Sequence, residues 1–169
     1  MRILIIFIIL VFNSHGKANE VIKNLVVHKE LKKYDSLTFL DDKNNQIDLD
    51  EFQGNLILMN FWATWCAPCK EEMPSLDLLI KNKDLDNLVI FPINIGKDST
   101  KKALEFYQDL EIKNLKFYFD SPTTLAKSFG LRGIPTSILF NKKGEEFARI
   151  IGSIDFQDKK FTEWLSKYN

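Results

Sequence analysis

The chain has 169 residues, 45% of them hydrophobic, and its 23 basic residues are balanced by 23 acidic ones. This zero net charge, without a dense cluster of lysines or arginines, argues against a nucleic-acid-binding surface, so we expect no nucleic-acid partner. The hydrophobic content and a mature length of about 150 residues fit one globular domain with a single core.

Residues 1–18 have the order of a secretory signal peptide. A short basic start is followed by the unbroken apolar run of residues 3–12 and then by small and polar residues. The run is shorter than the roughly 20 residues that a membrane-spanning helix needs, so cleavage is the first interpretation and an uncleaved tether through the run is the alternative. Both place the domain outside the cytoplasm, and we expect a periplasmic protein, either free or anchored to the inner membrane.

The first part of the mature chain predicts a lead-in, a hairpin and a buried strand. Residues 19–36 have a mixed pattern and are treated as the lead-in to a domain of residues 37–169. Two short strand-like segments, residues 37–40 and 46–49, flank a turn-rich stretch and predict a β-hairpin. The near-continuous apolar run of residues 56–61 predicts a strand that is buried on both faces of a sheet.

A helix is predicted to begin just after Cys66. Ala67-Pro68 suits a first helical turn, where a proline loses no hydrogen bond. Pro74 lies inside this helix and is expected to kink it. The apolar face of the helix is expected to consist of Met73, Leu76, Leu79 and Ile80.

The second half of the chain continues the alternation of strands and helices. Residues 88–95 predict another central strand, and residues 98–100 offer caps for a following helix. The apolar positions of that helix are Ala103, Leu104, Phe106 and Tyr107. The remaining predictions are a strand at residues 117–119, a short helix from Ser121-Pro122 to near Gly130, a hairpin of residues 136–140 and 145–151, and a last helix at residues 156–168.

Together these elements predict an α/β fold with a mixed central sheet, helices on both faces and an N-terminal β-hairpin. Right-handed crossovers place the strands of residues 56–61 and 88–95 side by side and parallel. The later hairpin adds antiparallel strands to the same sheet.

The two cysteines of the chain, Cys66 and Cys69, form a C-x-x-C pair at the predicted strand-to-helix junction. A disulfide that closes so short a loop adds little stability, so the pair suits redox chemistry better than a structural role. The unpaired N–H groups and positive dipole end of a helix N-terminus favour a thiolate. We therefore assign Cys66 as an exposed nucleophile and Cys69, one turn further in and more buried, as the resolving thiol.

Two other interpretations of the pair are weaker. A zinc site would need two further ligands, and the chain offers only His15, inside the predicted signal peptide, and His28 in the lead-in. We therefore expect no metal site. An inert buried pair is the second alternative, but Trp65 and Pro68 beside the thiols suggest a docking surface, whereas Trp62 is interpreted as core.

Two segments carry a resemblance to a known family: NFWATWCAPCKEEMPSL at residues 60–76 and GLRGIPTSILFNKKGE at residues 130–145. The chain resembles the thioredoxin superfamily, and most closely its exported TlpA/ResA-like branch, over roughly residues 37–168. The resemblance implies a thioredoxin-like fold and a cis peptide bond at Ile134–Pro135 that packs against the C-x-x-C pair.

The segment around Pro135 is expected to bind substrate. We interpret Pro135 as standing just before an edge strand, where it costs no ladder hydrogen bond. A cis X-Pro bond costs only about 0.5–1 kcal/mol, and it would leave the backbone of Ile134 free to pair with an extended client chain. A simple strand-entry proline is the alternative. The expected supporting and substrate-binding residues are Trp65, Ala67, Pro68, Ile134 and Pro135.

The chain departs from the family pattern at the proton acceptor for Cys69. Thioredoxins that resemble this stretch usually carry a buried Asp where Asn60 stands, and an Asn cannot titrate. Some exported relatives carry a Glu at a position that is Lys97 here, followed by Asp98. Asp98 or a water is the candidate acceptor, and the alternative is that Asp98 only caps a helix.

The resemblance implies an exported reductase of protein disulfides that works without a small-molecule cofactor and as a monomer. Implied clients are the haem-binding cysteines of apocytochrome c and the copper-site cysteines of oxidase assembly factors. A membrane thiol-electron carrier would reset the disulfide. The alternatives left open are an oxidant that donates its disulfide, a thiol peroxidase, and a non-enzymatic module that binds copper or a partner.

Overall fold

The computed structural model describes residues 22–169. The predicted signal peptide, residues 1–18, lies outside the described residues. The strands are β1 Leu25–Lys32, β2 Thr38–Leu40, β3 Gln46–Asp48, β4 Leu56–Trp62, β5 Leu88–Asn94, β6 Tyr118–Phe119, β7 Thr136–Phe140 and β8 Glu146–Ile151. The α-helices are α1 Ala67–Leu79, α2 Thr100–Asp109, α3 Leu125–Ser128 and α4 Lys159–Leu165, with short 3-10 turns at Leu49–Phe52, Lys83–Leu85 and Ser166–Tyr168.

The described strands form one mixed sheet in the order β1-β8-β7-β4-β5-β6-β2-β3. Strands β4, β5 and β6 run parallel to one another, while β7 and β8 run antiparallel to their neighbours. Parallel strands need a crossover, and α1 supplies it between β4 and β5. The predicted α/β class, the mixed sheet and the N-terminal hairpin of β2 and β3 are confirmed.

The central strand β4 is buried on both faces, as its apolar run predicts. Leu56, Leu58 and Trp62 pack in one layer with residues of α1, α2 and α4, whereas Ile57, Met59 and Phe61 pack in the other layer with residues of α3. Alternation along a strand therefore places Asn60 on the α1 side, as a polar residue among apolar ones.

The N-terminal side of the sheet differs from the prediction. Residues 25–32, part of the predicted lead-in, form β1, which pairs antiparallel with β8 and makes the outer edge of the sheet. Strand β7 consequently lies between β8 and β4, so the prediction that Pro135 precedes an edge strand is wrong. No ladder bond is lost even so, because Pro135 lies one residue before β7 begins.

The helices agree with the prediction except in their details. The short helix α3 begins at Leu125 rather than at Ser121-Pro122, because the Asp120 carboxylate accepts hydrogen bonds from three consecutive N–H groups beginning at Thr124. The last helix begins at Lys159. Two side chains assigned to buried helix faces are instead exposed, namely Ile80 and Leu104. Among the described residues, no helix has the length and apolar character to cross a bilayer.

Candidate active site

The two cysteines lie at the junction between β4 and α1. Cys66 is the N-cap of α1, and its Sγ accepts the N–H of Cys69 at 3.3 Å. Pro68 stands in the first turn, as predicted, where its missing N–H is not needed. Cys66 and Cys69 are joined by a disulfide, with their Cα atoms 5.3 Å apart. The structure therefore represents the oxidised state of the pair.

The surface around the disulfide is formed by its neighbours more than by the sulfurs. Cys66 is only 4% exposed, so the expectation of an openly exposed nucleophile is wrong, although Cys69 is still more buried at 0%. Trp65 is 68% exposed, and Ala67 and Pro68 are exposed as well. Trp62 lies in the core, as predicted, with its ring 4.6 Å from that of Phe106.

The segment around Pro135 lies at the same end of the sheet as the disulfide. Thr136 of β7 pairs with Phe61 of β4, so the chain before β7 and the chain after β4 meet at one edge. The predicted cis bond at Ile134–Pro135 is confirmed. Within residues 22–169, neither backbone polar group of Ile134 forms a hydrogen bond, whereas the carbonyl of Pro135 accepts the N–H of Gly152 at 2.9 Å.

Asp98 is hydrogen-bonded to the loop that leads into Cys66. Its carboxylate accepts hydrogen bonds from the Thr64 N–H at 3.0 Å, the Thr64 hydroxyl at 2.8 Å and the Asn94 amide at 2.9 Å. Burial opposes ionisation, but these donors outweigh it and lower the pKa of Asp98. An acid that holds its charge so firmly is a poor proton acceptor. The helix cap of α2 is Ser99, so the alternative of Asp98 as the cap is also wrong.

The loop after β5 approaches the same segment so closely that it needs a glycine. A Cβ on Gly96 would stand 2.6 Å from the Cβ of Ala63 and 3.1 Å from Nε1 of Trp65. The glycine therefore lets the loop after β5 pass close to Ala63 and Trp65.

A buried acid behind the disulfide, Glu72, was not identified from the sequence. It is 2% exposed; its Oε1 accepts the Asn60 amide at 2.8 Å and its Oε2 accepts the Ile154 N–H at 3.3 Å. Burial raises the pKa of Glu72 to about 7, because these two neutral donors offset only part of the cost of removing the charge from water. The available signal was the three-residue spacing after Cys69, which puts both side chains on one helix face.

Glu72 also has a route to solvent. It lines a cavity of about 510 Å³ together with Ser75, Ser153, Asp155 and other residues. A carboxyl group with a pKa near neutrality, one helical turn from Cys69 and beside such a cavity, can take a proton from the thiol and release it.

The described histidine lies far from this site. His28 is on β1, where its Nε2 contacts Glu146 at the sheet edge, three strands away from β4. It is therefore not placed to complete a zinc site with the cysteines.

Comparisons with known proteins agree with this geometry. The Redoxin family model matches residues 19–161. The chain is 30% identical over 128 residues to the thiol-disulfide oxidoreductase ResA of Bacillus thuringiensis subsp. konkukian, covering 75% of this chain and 71% of ResA.

Two solved structures support the fold. The secreted thiol-disulfide isomerase of Corynebacterium glutamicum superposes with a TM-score of 0.71 at 21% identity, covering 86% of this chain and 93% of that one. StoA of Bacillus subtilis superposes with a TM-score of 0.63 at 23% identity, covering 79% and 96%. The fold is thioredoxin-like, and the chain belongs to the redoxin family as a thiol–disulfide oxidoreductase of the ResA type.

Proposed function

We propose that this protein is an exported reductase of protein disulfides that works through the Cys66–Cys69 pair. The observation that carries the proposal is the position of this disulfide at the N-terminus of α1, beside the exposed Trp65 and the unpaired backbone of Ile134. Trp65, Ala67 and Pro68 offer a client an apolar contact surface. Ile134 offers it backbone hydrogen bonds like those of an added strand.

The first step is attack by Cys66. In the reduced protein the Cys66 thiolate attacks one sulfur of the client disulfide, a Cys66–client mixed disulfide forms, and the other client sulfur leaves as a thiolate that takes up a proton. The N–H of Cys69 points at the Cys66 sulfur, and the N-terminus of α1 stabilises negative charge there.

The second step is resolution by Cys69. Glu72 accepts the proton of Cys69, and the resulting thiolate attacks the Cys66 sulfur. The Cys66–Cys69 disulfide forms again and the client leaves as a dithiol. This assignment puts Glu72 in the role for which the sequence suggested Asp98 or a water.

By resemblance to its family, the protein would act on haem-binding cysteines of apocytochrome c or copper-site cysteines of oxidase assembly factors. A membrane thiol-electron carrier would return the disulfide to the dithiol. A periplasmic location, with or without a membrane tether through residues 3–12, is supported by the apolar N-terminal run and by the likeness to a secreted isomerase.

The test is to trap clients in cells. Cys69→Ala should accumulate mixed disulfides on Cys66, because the resolving thiol is missing, and Cys66→Ala is the matched control. The assignment of roles is wrong if Cys66→Ala traps clients as well as Cys69→Ala does. Measuring the reduction potential then fixes the direction, since a value as oxidising as about −120 mV would indicate disulfide donation instead.

A further inference from the structure

One side-chain oxygen in the core stands without a hydrogen-bond donor. Asn60 is fully buried, and both hydrogens of its amide are used: Nδ2 donates to Oε1 of Glu72 at 2.8 Å and to Oγ of Ser137 at 2.9 Å. Its Oδ1 has no partner among the described residues. The amide cannot simply be reversed when Glu72 is ionised, because a carboxylate oxygen only accepts and needs the N–H side. A buried acceptor left unpaired costs free energy, so its retention calls for an explanation.

The residues that flank Asn60 on its own face of β4 are apolar. Leu58 and Trp62, which flank Asn60 on the same face of β4, belong to the apolar cluster that also contains Cys69 and Met73. The indole N–H of Trp62 is unpaired too, but its ring packs on Phe106 and Tyr107 of α2, whereas the Asn60 amide is turned toward α1 and β7.

Reduction gives both cysteines of this cluster an S–H donor, and Cys69 is the one that lies on the same face of α1 as Glu72. Cys69 is fully buried and carries no hydrogen while it is in the disulfide. It lies three residues before Glu72 on α1, so the two side chains are neighbours, and Glu72 contacts the Asn60 amide. Reduction turns the Cys69 sulfur into a thiol with an S–H donor on this face of the helix.

We infer that Asn60 is a positioning residue whose Oδ1 accepts the S–H of Cys69 in the dithiol state while its Nδ2 holds Glu72. The amide then bridges the thiol that loses a proton and the carboxylate that takes it. The inference rests on the proposed function, in which Glu72 receives the Cys69 proton. Ser137, directly opposite Asn60 in the β4–β7 ladder, accepts the second N–H of the amide.

The bridge should shift the redox balance in a defined direction. Two glutathione thiols supply the two electrons and two protons that break the Sγ–Sγ bond, and they leave as glutathione disulfide. The hydrogen bond exists only in the reduced state, and the unpaired oxygen only in the oxidised state. Both effects favour the dithiol, so replacing Asn60 with an apolar residue of similar size should disfavour reduction.

The first measurement is the equilibrium with glutathione. Asn60→Leu should lower the equilibrium constant for reduction about three- to tenfold, and the tenfold limit corresponds to about 30 mV. Ser137→Ala removes a partner of Nδ2 but leaves Oδ1 in place, so it should change the constant less than twofold. An unchanged constant in Asn60→Leu, or an equal change in both variants, would overturn the inference.

The second measurement needs no change at Asn60 and is therefore independent of whether Asn60→Leu folds. In Cys66→Ser, Cys69 is the single thiol, and its S–H stretching band can be recorded by infrared spectroscopy near pH 7.5, where most of Glu72 is ionised and a buried thiol keeps its proton. The band should lie at the lower frequency of a hydrogen-bonded thiol, and a band at the free-thiol frequency would contradict the inference. Because neither measurement uses a client, failure to trap clients would count against the proposed function alone.

Discussion

Two glutamates in this protein are almost equally buried and behave in opposite ways. Glu72, behind the disulfide, is 2% exposed and its pKa is raised to about 7. Glu146, on β8 near the outer edge of the sheet, is 0% exposed and its pKa is lowered to about 2. Burial raises the pKa of both carboxyl groups, so the difference must come from their partners.

The partners differ in charge and in number. The Glu146 carboxylate accepts hydrogen bonds from Arg149, through Nε at 2.5 Å and Nη2 at 2.9 Å. It also accepts one from the Tyr34 hydroxyl at 2.5 Å, and it contacts Nε2 of His28 at 2.5 Å. Within residues 22–169, Glu72 accepts hydrogen bonds from one side-chain amide and one backbone N–H. A buried carboxylate stays charged when a cation and several donors surround it, and becomes a proton exchanger when its partners are few and neutral.

The two acids accordingly serve different purposes. The Glu146 cluster ties β1, through His28, to β8, and Arg149 extends it to the carbonyl of Phe129 at 2.7 Å. It is a structural clamp whose charge is fixed over the physiological pH range. Glu72 can gain or lose a proton near neutrality, and ionising it in its buried position costs stability.

The largest predicted effect is loss of stability on breaking the clamp. Glu146→Gln leaves the guanidinium of Arg149 without its carboxylate, and we expect about 3 kcal/mol of destabilisation in urea unfolding at pH 7. The rate of thiol–disulfide exchange in the folded protein should stay within twofold of wild type. A drop in stability below about 1 kcal/mol would show that the cluster is not a clamp.

Glu72→Gln should produce the opposite pattern. It removes the proton acceptor, so resolution of the mixed disulfide by Cys69 should slow at least about tenfold at pH 7. It also removes the cost of ionising a buried acid, so the variant should be about 1–2 kcal/mol more stable than wild type at pH 8. Stopped-flow kinetics and urea unfolding measure the two effects. A less stable variant with an unchanged rate would make Glu72 a structural residue.

The pH dependence of stability separates the two acids further. The contribution of Glu146, whose folded pKa lies below the unfolded value of 4.5, should be lost as the pH falls from about 4.5 to about 2. The folded pKa of Glu72 lies above 4.5, so its contribution should be lost as the pH rises from about 4.5 to about 7. The loss of stability at low pH should be absent in Glu146→Gln and present in Glu72→Gln. The loss between about pH 4.5 and about 7 should be absent in Glu72→Gln and present in Glu146→Gln. If both variants keep both losses, these two acids do not cause them.

The smallest predicted effect concerns one donor of the clamp. Tyr34→Phe removes the hydroxyl that donates to Glu146, and the loss of one hydrogen bond to a charged group should cost about 1–2 kcal/mol. Arg149 remains in place, so the carboxylate stays charged and the exchange rate should not change. If Tyr34→Phe destabilises the protein as much as Glu146→Gln does, the Arg149 guanidinium contributes less to the stability of the cluster than the comparison of the two glutamates implies.

Much of the fold could be predicted because its signals are local. The apolar runs that form β4 and β5 and the turn residues of the two hairpins lie within single segments. Strand β1 could not be predicted, because Val26 and Val27 face solvent and its pairing partner in β8 is distant in sequence, as Leu25 and Ile150 show.

The candidate site could be predicted in part for the same reason. The C-x-x-C pair and the residues that predict the start of the helix are adjacent in the sequence. Glu72 has the appearance of a surface residue in a run of charges, and its burial depends on contacts with distant segments, namely Asn60 of β4 and the backbone of Ile154. Asp98 stands beside a helix start, but its hydrogen bonds go to Thr64, in a loop more than thirty residues earlier.

The most direct test of Glu72 as the proton acceptor is the pH profile of the resolving step. The Cys66 mixed disulfide is formed with a model peptide, and its resolution by Cys69 is followed in wild type and in Glu72→Gln. The rate in wild type should rise with pH through an inflection near 7, as Glu72 ionises, and the inflection should be absent in the variant. The same inflection in both proteins would contradict the account.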